Sequence, residues 1–141
     1  MKTKKIFLMI PFLFLVMGIM NGCEDNEPQY EIYENHDISA CGVEDPLVNI
    51  EWLAEICNEV KVSKKYSSFY IFIFKIIDTN EYIFDIARPS QYDKHYSSSA
   101  FFDCSGNIVF QWETINPPNP SYKDFMQDKE LVSTLFSMVK Q

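Results

Sequence analysis

Ser68-Phe-Tyr-Ile-Phe-Ile-Phe-Lys-Ile-Ile77 is β-branched and aromatic almost throughout. Such a run suits a pleated sheet better than a helix. It is apolar at odd and even positions alike, which predicts a strand buried on both faces and central in its sheet. Asp78-Thr79-Asn80 follows as a turn. From Glu81 to Ala87 the pattern alternates: Tyr82, Phe84 and Ile86 fall on one side, Glu81, Ile83 and Asp85 on the other. That is a half-buried hairpin partner.

Working outward, Arg88 to Ser97 is polar and reads as a loop. Ser98 to Asp103 reads as a third strand, with Ala100 and Phe102 on one face. After the turn Ser105-Gly106-Asn107, Ile108, Phe110 and Trp112 alternate with Val109, Gln111 and Glu113 in a fourth. On the N-terminal side, Asp45-Pro46 reads as a cap and first helical position. The helix it opens runs to about Val60, with Leu53, Ile56, Cys57 and Val60 as its apolar face. Beyond Pro117, Pro118 and Pro120, the spacing of Tyr122, Phe125, Met126, Val132, Leu135, Phe136 and Val139 predicts a C-terminal amphipathic helix. The expected fold class is therefore α+β. It has an N-terminal helix, a four-stranded antiparallel meander sheet and a C-terminal helix, packed as a two-layer sandwich.

The first residues read as an address. Lys2, Lys4 and Lys5 precede an uncharged run from Ile6 to Met20, too short for a comfortable membrane span and suited to a secretory signal. The run ends at Met20-Asn21-Gly22-Cys23. A small residue before a cysteine at that place resembles a bacterial lipobox. The resemblance implies a signal peptide over 1–22 and acyl chains on Cys23, several of which together anchor a protein stably. Residues 23–40 then form an acidic, lipidated tether, and residues 41–141 a single α+β domain. Glu24 to Glu59 holds eleven acids and no Lys or Arg, whereas Val60 to Gln141 holds nine of each. The start Glu24-Asp25-Asn26-Glu27 resembles the surface-export signal of Bacteroides-lineage lipoproteins. The expected location is the outer membrane, lipid-anchored, with the domain facing either the periplasm or the exterior.

Composition removes whole classes of function. The 141-residue chain is 47% apolar and carries a net charge of −8, so it is neither disordered throughout nor a generic nucleic-acid binder. It has no phosphate loop, no dinucleotide glycine pattern and no paired CxxC. No cofactor is expected.

Of the cysteines left after Cys23, Cys57 shares a helical stripe with Leu53 and Val60 and suits a buried free thiol. Cys41 and Cys104 each adjoin a glycine-containing turn. In an oxidising compartment a Cys41–Cys104 bridge is the expectation.

Candidate chemistry is sparse. Cys104 with His95 makes a weak case for a thiol hydrolase, because Asp103 next door disfavours a thiolate. His36 and His95 with Asp37 or Asp93 lack metal-ligand spacing, and Asp78, Asn80 and Glu81 lack the glycine and terminal Glu of a calcium loop. No catalytic or metal residue is therefore assigned. Tyr92-Asp93-Lys94-His95-Tyr96 is the candidate binding loop, with Tyr92, Asp93, His95 and Tyr96 as its contact residues. Two tyrosines in a polar loop supply rigid, amphipathic contact area. Trp52 and Trp112 sit on apolar periodicities and read as core. The acids Glu44, Asp45, Glu51, Glu55 and Glu59 would steer a cationic partner.

Two segments resemble a family of small Bacteroides-type lipoproteins: Cys41-Gly42-Val43-Glu44-Asp45-Pro46-Leu47 with Asn49, Trp52-Leu53 and Ile56, and Phe102-Asp103-Cys104-Ser105-Gly106-Asn107. The resemblance implies an envelope protein and no particular activity. The functional expectation is a non-catalytic binding module for an envelope or extracellular protein or glycan, acting through the Arg88–Ser97 loop and an exposed sheet face. The second expectation is an inhibitor of a cationic hydrolase, acting through the acidic first helix.

Overall fold

The computed structural model describes residues 27–89, 96–115 and 120–141. The chain runs β1 (Tyr30–Glu34), β2 (Ser39–Ala40), β3 (Val43–Glu44), α1 (Pro46–Asn49), α2 (Glu51–Ser63), β4 (Ser68–Ile76), β5 (Tyr82–Pro89), β6 (Tyr96–Phe102), β7 (Ile108–Ile115), α3 (Pro120–Met126) and β8 (Lys129–Lys140). Six strands form one antiparallel sheet in the order β1-β8-β4-β5-β6-β7, and β2 and β3 pair separately.

This overturns the expected α+β sandwich: the fold is mostly β, with a six-stranded sheet where a four-stranded meander is expected and only three short helices among the described residues, and the difference arises in two places. Lys129–Lys140 forms the long strand β8 between β1 and β4, where a C-terminal helix is expected. The reason lies in its register. The partner of β4 jumps from Phe136 to Thr134 and from Ser133 to Leu131, leaving Leu135 and Val132 as extra residues. Each bulge breaks the period of two. Leu135, Phe136 and Met138 can then all be buried from one strand, a spacing that imitates a helical stripe. Only Pro120–Met126 keeps the helix, as α3.

The second correction concerns the tether. Tyr30–Glu34 is an edge strand paired with β8 along its whole length. Tyr30, Ile32 and Glu34 face the helix side and Glu31 and Tyr33 the other, as strand alternation requires. The acids at 31 and 34 hide this alternation in a composition count. Glu34 is held by Lys61 of α2 at 2.7 Å.

α2 covers one face. Its Leu53, Cys57 and Val60 pack with Phe69, Ile71 and Ile73 of β4, Phe84 and Ile86 of β5, and Leu135, Phe136 and Met138 of β8. Ile71 lies opposite Ile86, and Ile73 opposite Phe84. The helix ends at Lys64, whose left-handed backbone (φ 46°) lets its N–H reach the Val60 carbonyl.

The motif residues meet at one corner. Cys41 and Gly42 both have positive φ (57° and 74°), as a two-residue hairpin between β2 and β3 requires. Cys41 is disulfide-bonded to Cys104, with Cα atoms 5.7 Å apart. The Trp52 indole N–H donates to the Cys104 carbonyl, and its ring packs on Phe84 and Phe102. Gly106 lies flat on that ring: a Cβ there would sit 3.0 Å from the indole, and its φ is +85°. Asp103 accepts from the Ser105 and Asn107 amides and the Asn107 side chain, closing the β6–β7 turn. The quoted motifs are thus accounted for by construction of this corner.

Candidate functional site

The sheet face away from α2 is covered unevenly. Over β6 and β7, α3 lays Tyr122 on Trp112 (ring centroids 4.3 Å apart) and Phe125 on Phe110 (4.2 Å) and Phe101 (4.9 Å). Of the β4 rings only Phe74 reaches this layer, 6.0 Å from that of Phe101. Tyr70 and Phe72 stay half-buried, so β4 is central in the sheet but not buried on both faces as its composition predicts. The half built from β1, β8 and β4 is an open cleft of about 500 Å³, lined by Tyr33, Tyr70, Phe72, Ser133, Thr134 and Ser137.

Strand register builds that lining. Ser137 lies opposite Tyr33 on one side and Tyr70 on the other, and Thr134 lies opposite Phe72. The Tyr70 and Phe72 rings, two residues apart on one face, are nearly parallel at 5.8 Å. Among the described residues the lining contains no Asp, Glu, Lys, Arg or His. Aromatic surface beside hydroxyls, with no charge, suits a neutral polyhydroxylated ligand.

Between the open and covered halves lies Asp85, opposite Phe72 on β4 and Phe101 on β6. It is 6% exposed. Burial pushes its carboxyl up to about 6, against the opposing effect of the Ser99 hydroxyl. Neither its Oδ1 nor the Trp112 Nε1 has a partner among the described residues. Tyr122 is raised as well, by its own burial and then by the Asp85 charge.

The residues singled out from sequence fall in different places. Cys41 and Cys104 form the disulfide, so Cys104 offers no free thiol in this structure. Cys57 is free and buried, and burial pushes its thiol up to about 12, leaving it inert. Cys23, Tyr92, Asp93 and His95 lie outside the described residues, and Tyr96 opens β6. His36 is ordered beside β1. Its Nδ1 lies 2.9 Å from the Asp45 carboxylate, which raises the imidazole above its ordinary value. Asp45 is the N-cap residue of α1 with Pro46 following it, as the sequence predicts, but its carboxylate bonds His36 and makes no side-chain cap hydrogen bond. Glu51, Glu55 and Glu59 are all exposed along α2 at helical spacing.

Among the described residues no group of three or more His, Cys, Asp or Glu could hold a metal, and no helix is long and apolar enough to cross a membrane. Comparison of the chain with protein-family models, curated proteins and solved structures finds no match. The fold and the cleft define a class: a disulfide-pinned, mostly β domain whose antiparallel sheet is covered on one face by the 13-residue α2 and carries an open aromatic and hydroxyl surface on the other.

Proposed function

We propose that the protein is a lipid-anchored envelope protein whose domain is a non-catalytic binding module for a neutral glycan. The observation that carries this reading is the open cleft of Tyr33, Tyr70 and Phe72 interleaved with Ser133, Thr134 and Ser137. Aromatic side chains give rigid contact area at low entropic cost, and the hydroxyls both donate and accept. The Gly22-Cys23 junction after the apolar leader supports the anchor.

The test is titration of the full chain in detergent with gluco-, manno- and galacto-configured neutral oligosaccharides. At least one binds, and Tyr70→Ala weakens it about tenfold, the loss of ~1.4 kcal/mol of contact. Absence of binding across the panel at millimolar concentration, or equal binding by the variant, overturns the reading.

The exposed stripe of Glu51, Glu55 and Glu59 supports a second reading, docking and inhibition of a cationic hydrolase. Inhibition of a lysozyme-type enzyme would then fade as salt rises from 0.05 to about 0.5 M, because surface charges are screened. Salt-independent inhibition contradicts a role for the stripe.

A further inference from the structure

A second cleft, of about 640 Å³, opens at one end of the sheet, where the β4–β5 hairpin, the β6–β7 turn, the Cys41–Cys104 bridge and the end of α3 converge. Its volume falls in the range of ordinary ligand sites. Ile76, Ile83, Val109 and Phe125 give it an apolar lining. The same end of the sheet exposes an apolar apron: Ile77, Ile108, Val109, Leu131 and Val132 are each between 43% and 57% exposed. Exposed apolar side chains clustered around a cleft mark a contact surface, where single ones do not.

The charges of this cleft are unbalanced. Lys129 is its basic residue, and its ammonium is already committed. It lies 2.6 Å from Asp128, donates to the Phe125 carbonyl, and sits 3.9 Å from the Phe125 ring centroid. Glu81 and Asp103 line the cleft with no cation paired to either among the described residues. Glu81 accepts from the Thr79 hydroxyl. Asp103 is held below the usual carboxylate range by the Asn107 side chain and by turn amides, so it stays ionised. The whole chain adds to this field with its net charge of −8.

We infer that this end cleft docks a short cationic peptide segment, with a Lys or Arg set against Glu81 and Asp103 and an apolar neighbour on Ile76, Val109 and Phe125. This site is independent of the glycan face: its chemistry is charged where the other is neutral, and no residue lines both.

The probe is a blocked Leu-Arg-Leu-Arg peptide, titrated into the full chain in detergent beside a Leu-Glu-Leu-Glu control. The cationic peptide binds and the acidic one does not. Glu81→Gln weakens binding at least threefold. Val109→Phe, which fills the cleft from an exposed position, removes it. Tyr70→Ala leaves it unchanged, so failure here is separable from failure of the glycan reading. Equal binding of both peptides, no effect of Glu81→Gln with Val109→Phe, or loss of binding in Tyr70→Ala overturns the assignment.

Discussion

The Cys41→Ser, Cys104→Ser double variant loses roughly 4 kcal/mol of unfolding free energy, the chain-entropy value for a loop of this length. The bridge spans a sequence separation of 63, and its loop contains β3, α1, α2, β4, β5 and β6. Cutting it frees the unfolded chain and also loosens the β2–β3 hairpin, whose Cys41 is held at positive φ. What remains at that corner is the Trp52 hydrogen bond, the Gly106 contact and the His36–Asp45 pair. Chemical denaturation of the oxidised wild type and the variant measures the difference, and reduced wild type should match the variant. A loss under 1 kcal/mol would mean that Trp52 and its neighbours hold the corner unaided.

Asp85→Asn has the opposite sign. The Asp85 carboxyl is raised from 3.8 to about 6 in the folded protein. The native state therefore holds the proton more tightly than the unfolded chain. The stabilisation linked to that proton is full below about pH 3.8 and is lost as pH rises towards and through 6. Above that, a buried carboxylate whose Oδ1 has no partner among the described residues burdens the fold. A shift of about two units at 1.36 kcal/mol each makes the burden roughly 3 kcal/mol. Asparagine keeps the shape and removes the charge. The variant should gain up to about that amount at pH 8 and nothing near pH 3.5. Paired denaturation curves from pH 3.5 to 8 test it. A gain that does not change with pH would place the Asp85 carboxylate in contact with water.

Parts of this fold are legible in the sequence because the local signal and the tertiary environment agree. Ser68–Ile77 is β-branched and aromatic, and its core of Ser68–Ile76 is strand β4. Leu53, Cys57 and Val60 keep helical spacing, and all three are buried in α2. Cys41 and Cys104 each adjoin a glycine-containing turn, and the bridge joins the two turns. The remainder is hidden by identifiable causes. Two bulges give Leu135, Phe136 and Met138 a helix-like pattern inside β8. In β1, Glu31 and Glu34 mask a strand whose stability comes from pairing with β8, not from its own composition.

The same two causes hide the open cleft. Tyr33 belongs to β1, Ser133, Thr134 and Ser137 to β8, and Tyr70 and Phe72 to β4. With β8 taken as a helix and β1 as a tether, these residues share no surface. Single-residue chemistry gave no signal either, since a serine or tyrosine on a strand has no motif. The end cleft is equally non-local, because it draws on β2–β3, β4–β5, β6–β7, α3 and β8 at once. Asp103 and Cys104 are conspicuous in the sequence, but their conspicuous features belong to the turn and the bridge.

The most direct test of the binding-module account is chemical-shift mapping of the full chain in micelles against the neutral oligosaccharide that binds best. The account predicts shifts confined to β1, β8 and β4, centred on Tyr33, Tyr70, Phe72 and Ser137, with α2 and the end cleft unmoved. Shifts centred on α2, or on the end cleft with the Tyr70 face silent, would contradict it.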